Sequence, residues 1–329
     1  MKESEAVIER MPPEQAARRG KRNDKRFWRY FRANYDLYLM CIPGLAFLIV
    51  YKFTPLLGLS LAFKDFNLFA GDNIIDSIVQ SPWVGMKHFN RIFEDEAFLK
   101  VIGNTLIISL YKLVFLFPIP ILVAISLNEL RIRWMKRWVQ TIVYLPHFLS
   151  WVIIFGLFYS LFGSYGMINK LIEALGGQSI SFFSDSSWFR SLLVFTEGWK
   201  ETGWNTILFL AAMTAIDPQQ HEAAVVDGAG RFKRIWHITI PGIVPVIMLV
   251  LVLRLGQILN AGFEQVLVMY NPAVYDVADI IQTFVYRIGL GKMDFSLSTA
   301  LGLFESVVAF ILVYSSNQLS KRYLGKSIW

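Results

Sequence analysis

Of the 329 residues, 55% belong to the apolar set AVILMFWYC and 17% are charged, with a mean hydropathy of +0.45; a soluble domain carries about 25% charged residues. Such a chain needs lipid to face, which argues against a soluble enzyme, a disordered regulator or a secreted disulfide scaffold. The single cysteine, Cys41, offers no disulfide framework and no Cys-based zinc site.

Six apolar segments, at 37–62, 101–127, 138–162, 191–216, 243–262 and 297–318, each approach or exceed the roughly 20 residues a helix needs to cross a bilayer. The expected class is therefore an all-α integral membrane protein with six transmembrane helices. Its expected organisation is a basic cytoplasmic tail (1–36), a first span with an external loop (37–100), a core domain (101–319) carrying a cytoplasmic loop (217–242), and a short tail (320–329). Lys and Arg alternate across these segments, 20 on the side that includes both termini against 8 in the opposite loops. The positive-inside rule then places both termini in the cytoplasm. The net charge of +7 is thus a topology signal, with the clusters anchored at lipid headgroups. No basic patch on a folded module calls for nucleic acid.

The N-terminal tail precedes an apolar segment far too long for a cleavable signal, so that segment is expected to be a retained anchor. Lys25 to Tyr35 mixes aromatic and basic residues, as in a helix along the inner leaflet or a mobile tail. In the outer loop 63–100, the run His88 to Phe93 is amphipathic; in 163–190, Met167–Leu175 forms a similar short helix.

The most informative stretch is the loop between the fourth and fifth spans. Asp217 is placed as an N-cap, Pro218 at the first helical position, and Gln220 at capping-box spacing. A helix of about three turns should stop at Gly228, and Arg231 to His237 allows a second short helix before Pro241. Ala223 and Ala224 keep the surface low enough for another protein to approach, while Glu222 and Asp227 can accept charged hydrogen bonds.

Glu222-Ala223-Ala224, Gly228, Ile238 and Pro241 resemble the EAA signature of permease subunits in bacterial binding-protein-dependent ABC importers, with Ile240 where Leu is usual. The words Tyr144 to Val152, Leu127-Asn128-Glu129, Asn271 to Asp276 and Tyr286 to Leu290 are similar to the subgroup that imports oligosaccharides and polysaccharide fragments, alginate importers above all. The resemblance implies a type I importer permease fold and a bacterial inner-membrane location. It also implies a second homologous permease, two ATPase subunits and an extracytoplasmic solute-binding protein as partners, with a saccharide as cargo. Glu222, Ala223, Ala224, Asp227, Gly228, Ile238 and Pro241 would be the coupling loop that docks on the ATPase. ATP and Mg would be bound by those partner subunits. No cofactor, metal site or catalytic residue is expected of this chain, since Gly325-Lys326-Ser327 lacks the rest of a phosphate loop and the four histidines are scattered. An ion-coupled secondary transporter is the alternative reading.

Charges inside the spans mark the other candidates, because a charge in hydrocarbon is costly and usually faces the bundle interior. Lys52 and Lys112 are expected to snorkel to an interface. Glu197, Lys200 and Glu201 share a helix face and can pair locally; with Trp199, Trp204 and Asn205 they offer stacking and hydrogen bonds to a sugar ring, or form a packed helix end. Arg254 and Glu305 fall near mid-membrane depth. Arg254 must face Glu305, another polar group or the aqueous pathway, and Gln257 and Asn260 extend its polar stripe.

Overall fold

The computed structural model describes Tyr30 and residues 32–324. The chain forms two compact units, Met1–Ser60 and Leu61–Trp329. In the first, α1 (Tyr35–Leu48) contains Pro43 and continues through a π-turn, Ile49–Phe53, with no buried residue in either. Most of the Lys25 to Tyr35 stretch lies outside the described residues, as does the end of the C-terminal tail.

The second unit is a helical bundle, with only an isolated bridge between Lys64 and Trp83 as extended pairing among the described residues. Two short outer helices, α2 (Ile74–Gln80) and α3 (Lys87–Glu94), precede α4 (Glu96–Leu116) and α5 (Pro118–Glu129). The amphipathic run at His88 buries Phe89 and Ile92, as its periodicity requires. Next come α6 (Arg133–Tyr144), α7 (Trp151–Phe162), α8 (Met167–Ala174) and the 29-residue α9 (Ser186–Thr214). Then follow α10 (Pro218–Val226), α11 (Arg231–Arg234), α12 (Ile240–Gly256), α13 (Phe263–Met269), α14 (Tyr275–Ala278), α15 (Ile281–Tyr286) and α16 (Phe295–Leu324).

Among the described residues, five helical stretches are long and apolar enough to cross a membrane: Tyr35–Phe63, Glu96–Glu129, Trp151–Ala174, Arg231–Gly256 and Phe295–Gln318. The remaining expected span is α9, about 43 Å long at 1.5 Å per residue. Its charges lower its hydropathy, but they turn inward and find partners. Arg190 donates to the Asn104 side chain (2.8 Å) and the Val277 carbonyl (3.1 Å), and Glu197 and Glu201 are paired as described below.

Two expected spans are broken. The segment 138–162 is not one helix: α6 ends at Tyr144, a 3-10 turn occupies Leu145–Phe148, and Ser150 caps α7. Pro146 supplies no amide hydrogen and so favours such a break. The segment 243–262 ends as a helix at Gly256; a 3-10 turn at Ile258–Asn260 and left-handed residues Ala261 (φ 49) and Gly262 (φ 82) follow.

Three apolar clusters hold the bundle. Ile108, Ile154, Phe189, Leu193, Val266 and Met269 join α4, α7, α9 and α13. Phe89, Phe98, Phe284 and Leu301 join α3, α4, α15 and α16, and Ala124, Phe209, Met213 and Ile243 join α5, α9 and α12.

Candidate functional site

The loop after α9 folds as its sequence dictates. The Asp217 carboxylate accepts the Gln219 amide hydrogen at 2.9 Å, with Pro218 in the first turn. No side-chain bond from Gln220 completes a box. At the other end the Ala229 amide donates to the Ala224 carbonyl (2.8 Å) and the Gly228 amide to that of Val225 (3.0 Å), a Schellman closure. Gly228 has φ +74 and open space where a Cβ would stand, so the glycine serves the backbone conformation alone. No residue of α10 is buried: Glu222, Ala223 and Asp227 are exposed and Ala224 is half-buried. This capped knuckle is a rigid, uncovered projection.

The second half differs from expectation. The short helix α11 does form before Pro241, but it is not separate from the span: it passes through a π-turn at Ile235–Thr239 directly into α12, one helical run from Arg231 to Gly256. The π-turn shifts the backbone pairing just ahead of Pro241, where a regular turn would meet the missing amide hydrogen. Ile238 therefore sits half-buried in that turn and Pro241 exposed in the first turn of α12, at the root of the span rather than on the knuckle.

A cavity of about 310 Å³ opens between α4, α9 and the break after α12. It is lined by Lys112, Glu197, Glu201, Asn205, Arg254, Gln257 and Asn260. Five candidates from the sequence thus converge from distant parts of the chain: Glu201 and Asn205 on α9, Arg254 at the end of α12, and Gln257 and Asn260 in the break that follows. The others lie elsewhere. Trp199 borders a separate apolar hollow with Tyr111 and Phe115. Lys200 is buried and donates to the carbonyls of His147 (2.6 Å) and Leu149 (3.0 Å), which the break before α7 leaves without helical partners. Trp204 stacks flat on the His147 ring at 4.3 Å. Glu305 accepts a hydrogen bond from the Gln282 amide at 3.0 Å and does not pair with Arg254.

Charge partners sort the cavity wall. Lys112 does not snorkel: its ammonium is buried, 2.5 Å from Glu197, and donates to the Ala261 carbonyl (2.8 Å) and Gln265 (2.6 Å). Glu197 thus pairs with another helix rather than with Lys200. Glu201 meets His147 Nδ1 at 2.9 Å and lies 3.4 Å from Lys200. Arg254 is half-buried, and among the described residues it is the cation on this wall with no acidic partner. Sequence reasoning singled out Lys112 but sent it to an interface, read His147 only as a hydrogen-bond partner at a helix end, and missed Gln265; the depth of Lys112 in its apolar segment was the available signal.

Residues 116–325 match the family of binding-protein-dependent transport system inner membrane components. The chain belongs to this family. It is 46% identical to protein LplB of Bacillus subtilis over 87% of this chain and 89% of that one. It is 44% identical to the polygalacturonan/rhamnogalacturonan transport system permease protein YteP of the same organism, covering 89% and 90% of the two chains. Among solved structures it superimposes with a TM-score of 0.83 on a chain of a bacterial ABC transporter involved in the import of the acidic polysaccharide alginate, at 38% identity over 91% of this chain and 99% of that one. A second structure of the bacterial alginate transporter, in complex with an alginate pentasaccharide-bound periplasmic protein, gives 0.83 at 37% identity. The fold is that of a type I ABC importer permease, an inner-membrane, multi-pass transport component.

Proposed function

We propose that this chain is one permease half of an ATP-driven importer for acidic oligosaccharides. The observation that carries the reading is Arg254. It stands on a polar cavity wall in the last turn of α12, rather than midway along the span, with no carboxylate of its own, beside Gln257 and Asn260, while the neighbouring Lys112 is neutralised by Glu197. A guanidinium in that setting matches a uronide carboxylate, and the amides match sugar hydroxyls. The relatives named for alginate and polygalacturonan support the same cargo class.

In this reading an extracytoplasmic binding protein delivers the saccharide to the outward-open cavity between this chain and a second homologous permease. Two ATPase subunits bind ATP and Mg on the cytoplasmic side, where both termini also lie, and receive the knuckle Glu222–Gly228. Their closure moves the knuckle and switches access. The chain performs no covalent chemistry.

Reconstitution of the whole assembly in proteoliposomes tests this. Uptake of an alginate pentasaccharide or a galacturonate oligomer should require the binding protein and ATP, and a neutral maltodextrin should be a poor cargo. Uptake that persists with an inactive ATPase would favour ion coupling; equal uptake of the neutral oligomer would remove the role given to Arg254.

A further inference from the structure

The break between α12 and α13 carries Gln257 and Asn260, and a buried cation from a distant helix closes on it. Ala261 and Gly262 are left-handed; the Gly262 carbonyl accepts the Val266 amide at the start of α13 (3.0 Å), whereas the Ala261 carbonyl is left outside the helical ladder. Lys112, 149 residues earlier on α4, donates to the Ala261 carbonyl at 2.8 Å, and a Cβ at Gly262 would lie 2.4 Å from its ammonium nitrogen. Glycine is thus needed at 262 both for its φ of +82 and for the approach of the lysine. The same ammonium reaches Gln265 on α13 and Glu197 on α9. Gln265 in turn donates to the Leu193 carbonyl and the Thr196 hydroxyl, both at 2.7 Å. One buried charge therefore joins α4, α9, α13 and the break.

A pair of buried ions alone is weak evidence of stabilisation, because apolar residues of similar volume often serve as well. What an apolar pair cannot do is bind the freed Ala261 carbonyl. We propose that Lys112 is a positioning residue of the translocation pathway: by holding that carbonyl it fixes the break, and with it the presentation of Gln257 and Asn260 to the cavity. This rests on the reading of that cavity as the saccharide pathway.

The test uses the assembled transporter in nanodiscs and proteoliposomes, with Lys112→Met, Glu197→Gln and the double change Lys112→Met/Glu197→Met. Hydrogen exchange over 257–266 is the readout that needs no cargo. The double variant should still assemble and melt only modestly below wild type, as one unanswered buried carbonyl requires, yet exchange at least tenfold faster in this segment, with a far smaller change in α16. Its uptake of a galacturonate oligomer at saturating loaded binding protein should fall at least tenfold. Wild-type exchange and uptake in the double variant would overturn the proposal. Should the double variant not assemble, the single variants decide: Glu197→Gln leaves the bond to Ala261 and should retain protection, whereas Lys112→Met should lose it. Equal loss in both would reduce Lys112 to an ion-pair partner and refute the idea. If wild type takes up no acidic oligomer, the cargo reading fails while the exchange comparison still judges Lys112.

Discussion

Replacing Arg254 with glutamine isolates the charge that the cavity wall leaves unanswered. The side chain is half-buried, no acidic group among the described residues neutralises it, and Glu305 is held by Gln282 instead. The change should therefore leave no buried carboxylate orphaned, and folding should be little affected. For an acidic cargo the loss is that of charge-assisted hydrogen bonds, worth about 1.5–3 kcal/mol net, which converts to roughly a 10- to 150-fold fall in the uptake rate per unit of loaded binding protein. Arg254→Lys should recover part of it, since an ammonium keeps the charge but not the planar fork. The assay is initial uptake of radiolabelled galacturonate oligomer and of its methyl ester into proteoliposomes, with ATP hydrolysis measured alongside. The ester should be nearly indifferent to the change. Adding Glu305→Gln should give no rescue. Undiminished uptake of the acid by Arg254→Gln, or equal losses for acid and ester, would refute the assignment, and rescue by Glu305→Gln would show an ion pair that the geometry does not contain.

Other outcomes follow from the same contacts. Gly228→Ala forces a Cβ into a left-handed position at a cost of about 1–2 kcal/mol without any clash, so it should weaken coupling, and Glu222→Lys should abolish stimulated ATP hydrolysis while the protein still inserts; normal transport in both would remove the knuckle from the mechanism. Gly203→Ala would put a Cβ 2.0 Å from the Val143 backbone oxygen, whereas Gly198→Ala meets only the end of the Leu116 side chain at 2.8 Å. The first should therefore lower the thermal stability of the purified protein far more than the second, by overpacking of about 1–3 kcal/mol or more. Lys200→Met leaves the carbonyls of His147 and Leu149 without their donor and should destabilise by an amount on the order of 1–3 kcal/mol, read by thermal melting in detergent. In the outer loop the Lys87 ammonium lowers the Asp65 pKa below 3.8. The cross-link is thus complete above the unfolded value and is lost as pH falls through the lower folded value, a small effect visible as faster exchange near 65–87 in acid and absent from Lys87→Met.

What the chain disclosed in advance was local. Asp217, Pro218 and Gly228 mark the ends of α10 because caps and left-handed closures are decided within a few residues, and the amphipathic runs at 88–93 and 167–175 fold as α3 and α8 for the same reason. The breaks were signposted but passed over: Pro146 and Ser150 within one apolar segment, and Asn260, Ala261 and Gly262 at the end of another. Average hydropathy cannot resolve them, since a 3-10 turn of apolar residues counts the same as a helix. The depth of Lys112 in its apolar segment hinted at burial, but its partners were not legible. Snorkelling or burial depends on whether an acceptor waits at its depth, and its acceptors are 149 and 153 positions away.

The knuckle and the cavity are ends of one mechanical element. From Arg231 to Gly256 the chain is one helical run, about 39 Å at 1.5 Å per residue, with Pro245 in its interior, the left-handed Gly228 ahead of its cytoplasmic end and Arg254 two residues from its other end. A π-turn at Ile235–Thr239 keeps that run continuous past Pro241, and Gly242 lets it close on Ile216, where a Cβ would stand 2.7 Å from the side chain. In the proposed mechanism a displacement of the knuckle would be passed along this run to the segment that bears Arg254. It stops there, because the chain leaves the helix at Gln257 and Lys112 ties the following turn to α4 and α9. In that reading the helical run would move against an anchored break, and the separation of Arg254 from Asn260, followed by paired labels at the two positions with and without ATP, should change on switching; an unchanged separation would refute it.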